Sequence, residues 1–246
     1  MSRRYDAGRV LTVSALRAWA DAFTRYAPSG RPLSVLDLGS GTGRLTPLLA
    51  DLFGGPVHGV EPSDGMRSVA QRDHTHPGVA YLPGRAERIP LGDASVDLAL
   101  LYLSLHHFTD RAAAAAEQAR VLRPDGRILV HGYFADRLGG DERVWYRYFP
   151  GLRAIEEERF PTLPEVLAEY TVAGLELVDL VTVPHRVADS LAAYHEKTRH
   201  RAFSTLTLLP DDEVEAGLAR LAADAAAQTD PQPEMIDADL LVLAPV

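Results

Sequence analysis

The sequence predicts an α/β fold built on a mostly parallel sheet with helices on both faces. Three observations carry this. Between residues 33 and 132, short β-rich apolar runs alternate with helical stretches. The stretch VLDLGSGTGRL, Val35 to Leu45, runs from an apolar strand through three glycines towards a helix. Further on, LRPDGRI places the turn residues Pro124 to Gly126 between a helix and the next strand.

Taken in order, strands are expected at 33–38, 57–60, 79–82, 96–101 and 127–132. Helices are expected at about 42–52, 63–72 and 111–122, the last holding the alanine run 112–116. Strand and helix in repetition imply right-handed crossovers and a sheet covered on both faces. After residue 133 strands become sparse, and FADRLGGDERVWYRYFPGLRAIEEERF reads as a loosely helical insertion. Residues 175–183 alternate as a sixth strand, 240–244 as a seventh, with helices between them at about 187–203 and 210–228. The run Glu156 to Arg159 reads as a solvated helix face, and His185, Tyr194, His195 and His200 as surface positions.

Composition excludes several function classes. The chain has 246 residues, 46% hydrophobic and 24% charged, as in ordinary soluble domains. No apolar run approaches the ~18 residues that cross a bilayer, and the opening MSRRYDAGRV has no apolar segment behind its basic pair. A cytoplasmic protein without a membrane partner is expected. With no cysteine, disulfides, thiolate nucleophiles and cysteine zinc sites are excluded, and no metal site is expected. A net charge of -9 without a Lys/Arg cluster disfavours a nucleic-acid partner. Lys197 is the sole lysine among 25 basic residues, a bias that points to a GC-rich bacterial genome.

The glycine loop is selective. At the carboxyl end of a strand, glycines let a ligand approach the backbone closely. A dinucleotide fingerprint starting at Gly39 would need a third glycine at 44, where the chain has Arg44, and the Gly-Lys pair of a phosphate loop is absent. Asp37, two residues before Gly39, would repel a pyrophosphate and attract an ammonium or sulfonium group. Glu61 ends the second strand, where an acid can accept both hydroxyls of a ribose. Together they describe a phosphate-free nucleoside with a cationic tail.

Four elements in order carry a resemblance to the class I S-adenosylmethionine-dependent methyltransferases, in the small-molecule group with the ubiquinone/menaquinone and biotin-pathway enzymes. They are VLDLGSGTGRL, GVEPSDGM, GRAERIPLGDASVD, and LALLYLSLHHF followed by VLRPDGRILV, together covering about residues 33–132. The resemblance implies a Rossmann-like, seven-stranded, mostly parallel sheet with an antiparallel last strand and helical insertions over the carboxyl ends of the strands. It implies one domain over 1–246: an N-terminal helical cover (1–30), a cofactor-binding core (31–132), an insertion (133–174), and 175–246 with the last two strands and a helical insertion at 184–236. S-adenosyl-L-methionine is the implied cofactor and S-adenosyl-L-homocysteine the product. The implied cofactor residues are Asp37, Gly39, Gly41, Thr42, Gly43, Glu61, Pro62, Met66, Ala86, Glu87 and Leu101. Arg85 departs from the pattern, standing where the family commonly has an acid that accepts from the adenine amino group.

Methyl transfer is an in-line displacement, so alignment comes first and proton removal second. The carboxyl ends of strands one, four and five bring Leu101, Tyr102, His106, His107, His131 and Tyr133 into range. His107, His106, Tyr102 and Tyr5 are the catalytic candidates. An imidazole can act as a base near neutral pH, and Tyr5 belongs to a Tyr-Asp pair resembling the family's N-terminal cover. Capping or packing is the other reading of the histidine pair, whose side chains a continuing helix would turn about 100° apart. Asp37 can also bind loop amides, and His131 can be a satisfied core histidine. Trp145, Tyr146, Tyr148 and Phe149 are a substrate wall or the core of the insertion. The expected activity is methyl transfer to O or N, with C open, of a small-molecule acceptor of secondary metabolism, by a monomer or homodimer. The alternatives are cyclisation or decarboxylation on the same fold, a non-catalytic cofactor binder, and a nicotinamide oxidoreductase.

Overall fold

A computed structural model describes residues 11–140, 143–201 and 205–246. The seven strands are β1 (Leu33–Leu38), β2 (Gly54–Glu61), β3 (Val79–Pro83), β4 (Val96–Tyr102), β5 (Leu122–His131), β6 (Leu175–Ala188) and β7 (Glu234–Pro245). They form one sheet in the order β3-β2-β1-β4-β5-β7-β6. The pairs β1/β2, β1/β4, β2/β3 and β4/β5 are parallel, and β7 runs antiparallel to β5. The expected sheet is present. Its order reverses between β1 and β4, the switch point at which open α/β sheets bind ligands.

The helices are α1 (Val13–Tyr26), α2 (Thr46–Phe53), α3 (Asp64–Asp73), α4 (Arg111–Val121), α5 (Val144–Tyr148), α6 (Leu152–Arg159), α7 (Leu163–Val172), α8 (Leu191–Thr198) and α9 (Asp211–Ala227). Their starts follow local chemistry. Ser63 caps α3, Asp110 caps α4, and Thr162 with Glu165 closes a capping box on α7. Helix α2 begins four residues later than expected, because the positive φ of Gly41 and Gly43 keeps the loop out of helical geometry.

Two compact units divide the chain. The sheet unit holds Ala20–Tyr133, Thr162–Thr182 and Asp239–Val246, and the helical unit holds the described residues up to Trp19, Phe134–Pro161 and Val183–Ala238. Val35, Leu36, Leu98, Leu100 and Leu129 have no exposed surface in the sheet unit, nor have Trp19, Val144, Phe149 and Leu221 in the helical unit. The sixth and seventh strands are longer than expected, by five residues at the end of β6 and six at the start of β7. Their added residues are mixed polar and apolar, so periodicity did not mark them. The turn chemistry of LRPDGRI is a bulge inside β5: Val96 pairs with Leu122 and Leu98 with Arg127, leaving Arg123 to Gly126 without partners on β4.

Three surface expectations are corrected. His185 lies buried on β6, its Nδ1 3.1 Å from the Val183 carbonyl and its ring edge-on to Trp19. Burial pushes its pKa down. Tyr194 is buried in α8. Glu156 is buried as well, because its carboxylate accepts from the Tyr146 hydroxyl at 2.6 Å and the Thr205 hydroxyl at 3.0 Å. The insertion-core reading fits Tyr146, Tyr148 and Phe149, which are all buried.

Candidate functional site

Strand β1 ends in the loop Gly39 to Gly43, where all three glycines adopt positive φ, +75° at Gly39, +59° at Gly41 and +80° at Gly43. Side chains would be obstructed at two of them. A Cβ on Gly39 would fall 2.5 Å from the Cβ of Ser104, and one on Gly43 would collide with the Tyr81 hydroxyl oxygen. Neighbouring strands hold the loop. The amides of Gly39 and Ser40 donate to the Val60 carbonyl at 2.8 and 3.2 Å, and the Gly41 amide donates to Glu61 Oε2 at 3.1 Å. Glu61 Oε1 accepts from the Ser63 amide at 2.9 Å. Met66 lies beside Gly41, its sulfur 3.9 Å from where a Cβ there would sit.

Two acids stand under this loop. Asp37 is 3% exposed and Glu61 7%. Burial, countered by a 2.7 Å hydrogen bond from the Thr46 hydroxyl and reinforced by the Glu61 charge, raises the Asp37 pKa to about 6. No cation among the described residues offsets that rise. Asp37 therefore has a hydroxyl partner and still lacks a positive one, while each Glu61 oxygen keeps a lone pair beyond its backbone bond.

Across the switch point, the end of β4 is fastened to the same loop. Ser104 is buried and donates to the Leu38 carbonyl at 2.7 Å. Leu103 before it has φ +57°, unusual for a branched side chain, and its amide donates to the His131 carbonyl at 2.8 Å. Leu105–His107 then form a 3-10 turn in which the His106 and His107 rings lie 4.1 Å apart at 44°. The rings meet although a 3-10 turn sets successive residues about 120° apart, so the expected divergence is absent at the level of the side chains. His106 is half-buried and His107 exposed.

Tyr102 and His131 are register partners at the ends of β4 and β5, with ring centroids 4.7 Å apart. Phe23 and Tyr133 complete an aromatic cluster, Phe23 6.5 Å from Tyr102 and Tyr133 5.9 Å from His131. His131 Nδ1 is 3.0 Å from the Asp239 carbonyl. A carbonyl only accepts, so Nδ1 carries the proton and, in the neutral ring, Nε2 is the acceptor nitrogen.

Other expected site residues have structural duties. Glu87 Oε1 accepts from the Thr109 amide and hydroxyl and from the Asp110 amide, fastening the loop after β3 to the start of α4. Burial opposes its ionisation, but those bonds outweigh it and lower its pKa. Leu101 has no exposed surface and serves the sheet core, Ala86 and Thr42 are buried, and Pro62 is exposed. Arg85 is exposed and pairs through its backbone with Arg88. Tyr5 lies outside the described residues. Ser104, Thr46, Tyr81 and Phe23 are site-supporting residues that the sequence reading missed.

Comparison with known proteins decides the family. The family described as a methyltransferase domain matches residues 36–130, the stretch from β1 to β5. An uncharacterized methyltransferase of Mycobacterium tuberculosis is 36% identical over 198 residues, which is 75% of this chain and 78% of that protein. The chain belongs to the S-adenosylmethionine-dependent methyltransferases. A demethylmenaquinone methyltransferase of Beutenbergia cavernae is 37% identical over 132 residues, 53% of either chain. A crystal structure from Anabaena variabilis, described as a methyltransferase of an antibiotic biosynthesis pathway, superposes with a TM-score of 0.72 at 25% identity. It covers 93% of this chain and 96% of that one.

For this methyltransferase the donor and the site agree chemically. A sulfonium nucleoside brings a positive charge, an ammonium and ribose hydroxyls. Asp37 and Glu61 are two buried acids whose chemistry fits such a donor, and side chains at Gly39 and Gly43 would intrude on their neighbours.

Proposed function

We propose that this enzyme methylates an oxygen or nitrogen atom of a small-molecule metabolite, using residues of the β1, β2, β4 and β5 ends. The buried Asp37/Glu61 pair below three positive-φ glycines carries the reading. Bound S-adenosylmethionine supplies the methyl group. Asp37 receives the ammonium of its methionine tail, and Glu61 accepts from the ribose hydroxyls with its remaining lone pairs. Met66 packs beside the adenine, and Ala86 walls the same side. The Gly39 to Gly43 backbone fixes the tail.

His106, His107 and Tyr102, at or just beyond the end of β4, orient the acceptor, and an imidazole of the histidine pair takes up its proton. An acceptor with an ionisable O–H or N–H suits these groups, since an imidazole near neutral pH accepts a proton that a methyl cation equivalent displaces. Acceptor choice lies outside residues 36–130, the stretch matching the family, because loops and insertions carry specificity that a fold does not. The net charge of -9 supports a small acceptor over a nucleic acid.

Thermal denaturation with S-adenosylhomocysteine and with NAD tests the donor site. S-adenosylhomocysteine raises the melting temperature, NAD does not, and Glu61→Ala abolishes most of the rise. A rise with NAD alone would overturn the assignment.

A further inference from the structure

We propose that the helical unit carries a small-molecule site, an open groove that binds an organic carboxylate with a short apolar body. Three elements of that unit line an open groove of about 760 Å³, within the size range of ligand pockets. Helix α1 contributes Val13 and Arg17, four residues apart and so on one face. Ala193 and Lys197 of α8 repeat that spacing, and His200 follows just beyond. The end of β6 closes the third side with Arg186, Val187 and Ala188.

Side chains hold these walls apart. The Thr12 hydroxyl donates to the Arg186 carbonyl at 2.9 Å, and Lys197 Nζ donates to the Val187 carbonyl at 3.2 Å. Both bonds join elements far apart in sequence or across a turn, so the shape is built into the unit.

The lining runs against the charge of the whole chain. Arg17, Arg186 and Lys197 outnumber the two acids, Asp189 and Glu196, in a protein of net charge -9. Both acids are engaged: Asp189 Oδ1 accepts from Arg186 Nη1 at 2.9 Å, and Glu196 pairs with Arg199 at 2.8 Å. Arg186 is the decisive residue. Its side chain is 40% exposed at the lining, and its bond to Asp189 uses Nη1. A guanidinium edge offers parallel N–H donors that match two carboxylate oxygens. Val13, 77% exposed, with Val187 and Ala193, supplies the apolar cover for the body of such a ligand.

None of these residues belongs to the glycine loop or the β4 and β5 ends, so the proposal does not depend on the methyl-transfer reading. The test is calorimetric titration of the full chain, without methyl donor, using octanoate, octanamide and inorganic phosphate. Octanoate is expected to bind about tenfold more tightly than octanamide or phosphate. Arg186→Gln and the exposed-site variant Arg17→Gln should each weaken octanoate several-fold to about tenfold, with S-adenosylhomocysteine affinity unchanged. Arg17 lies on the surface, so its variant keeps the test valid if Arg186→Gln fails to fold. Equal binding of acid and amide, equal binding of octanoate and phosphate, no octanoate binding, or indifference of octanoate to Arg17→Gln would each overturn the proposal.

Discussion

Asp37 is an acid that folding takes out of water, and its raised pKa makes it costly to the protein without a cationic ligand. Between its ordinary value of 3.8 and about 6, the folded state holds a proton that the unfolded state has released. This contribution to stability is therefore present below pH 3.8, falls as pH rises through the window, and is gone above 6. At neutral pH the deficit is on the order of 2–3 kcal/mol. Asp37→Asn keeps an acceptor for the Thr46 hydroxyl while removing the charge, so it should raise the melting temperature of the ligand-free protein at pH 7.5 and abolish most of the S-adenosylhomocysteine shift. Donor affinity should weaken by up to about tenfold per pH unit below pH 6, as the carboxylate protonates; calorimetry from pH 5 to 7.5 reads it. His107→Ala, by contrast, should lower kcat roughly 10²-fold or more while donor Kd stays within about twofold, if that imidazole takes the acceptor proton. Single-turnover kinetics separate the two quantities.

The elements around the site are fastened in pairs, one of which joins the β1 loop to the β4 end. Gly39→Ala places a Cβ against Ser104 at a positive φ, and should cost about 2–4 kcal/mol by denaturant unfolding. Adding Ser104→Gly reopens the space, so the double variant should cost about 1–2 kcal/mol less than the two singles summed. Additive effects would show that the contact is not shared. The strand and the glycines of this element were legible in the sequence because apolar runs and φ requirements are local properties. Asp37 and Glu61 stood out because each lies at or next to the carboxyl end of a strand. Ser104 was not: its bond to Leu38 spans 66 residues, and no periodicity marks it. The bonds of Glu87 were not legible for the same reason, since its partners Thr109 and Asp110 lie 22 and 23 residues away. His185 and Glu156 looked exposed because polarity was read alone, whereas Trp19, Tyr146 and Thr205 supply them with buried partners.

At the scale of the whole chain, the segment Thr162–Thr182 leaves the helical unit and rejoins the sheet unit, where polar contacts anchor it. The Tyr170 hydroxyl donates to Gln118 Oε1 at 3.0 Å, both buried, and Arg111 pairs with Glu169 at 2.8 Å at the rim. Tyr170→Phe leaves a buried amide oxygen without its donor and should cost about 1–3 kcal/mol, a fall of roughly 2–12 °C in melting temperature. S-adenosylhomocysteine affinity should not change. A loss of affinity equal to that of Glu61→Ala would mean that the segment shapes the donor site directly. The parallel half of the sheet was readable from strand–helix alternation, but the place of β7 was not, because nothing in its composition says between which strands it lies.

That place has a consequence for how the chain comes into being. Strand β7 is synthesised after β6 yet lies between β5 and β6, so those two strands stay apart until it arrives. Until then Ile128, Leu129 and Val130 present an unpaired apolar edge, the one that Leu241 to Leu243 later cover. A nascent or nicked chain lacking β7 thus exposes a template for pairing with its neighbours. The hazard during production lies in the interval between the two strands, not in the finished enzyme.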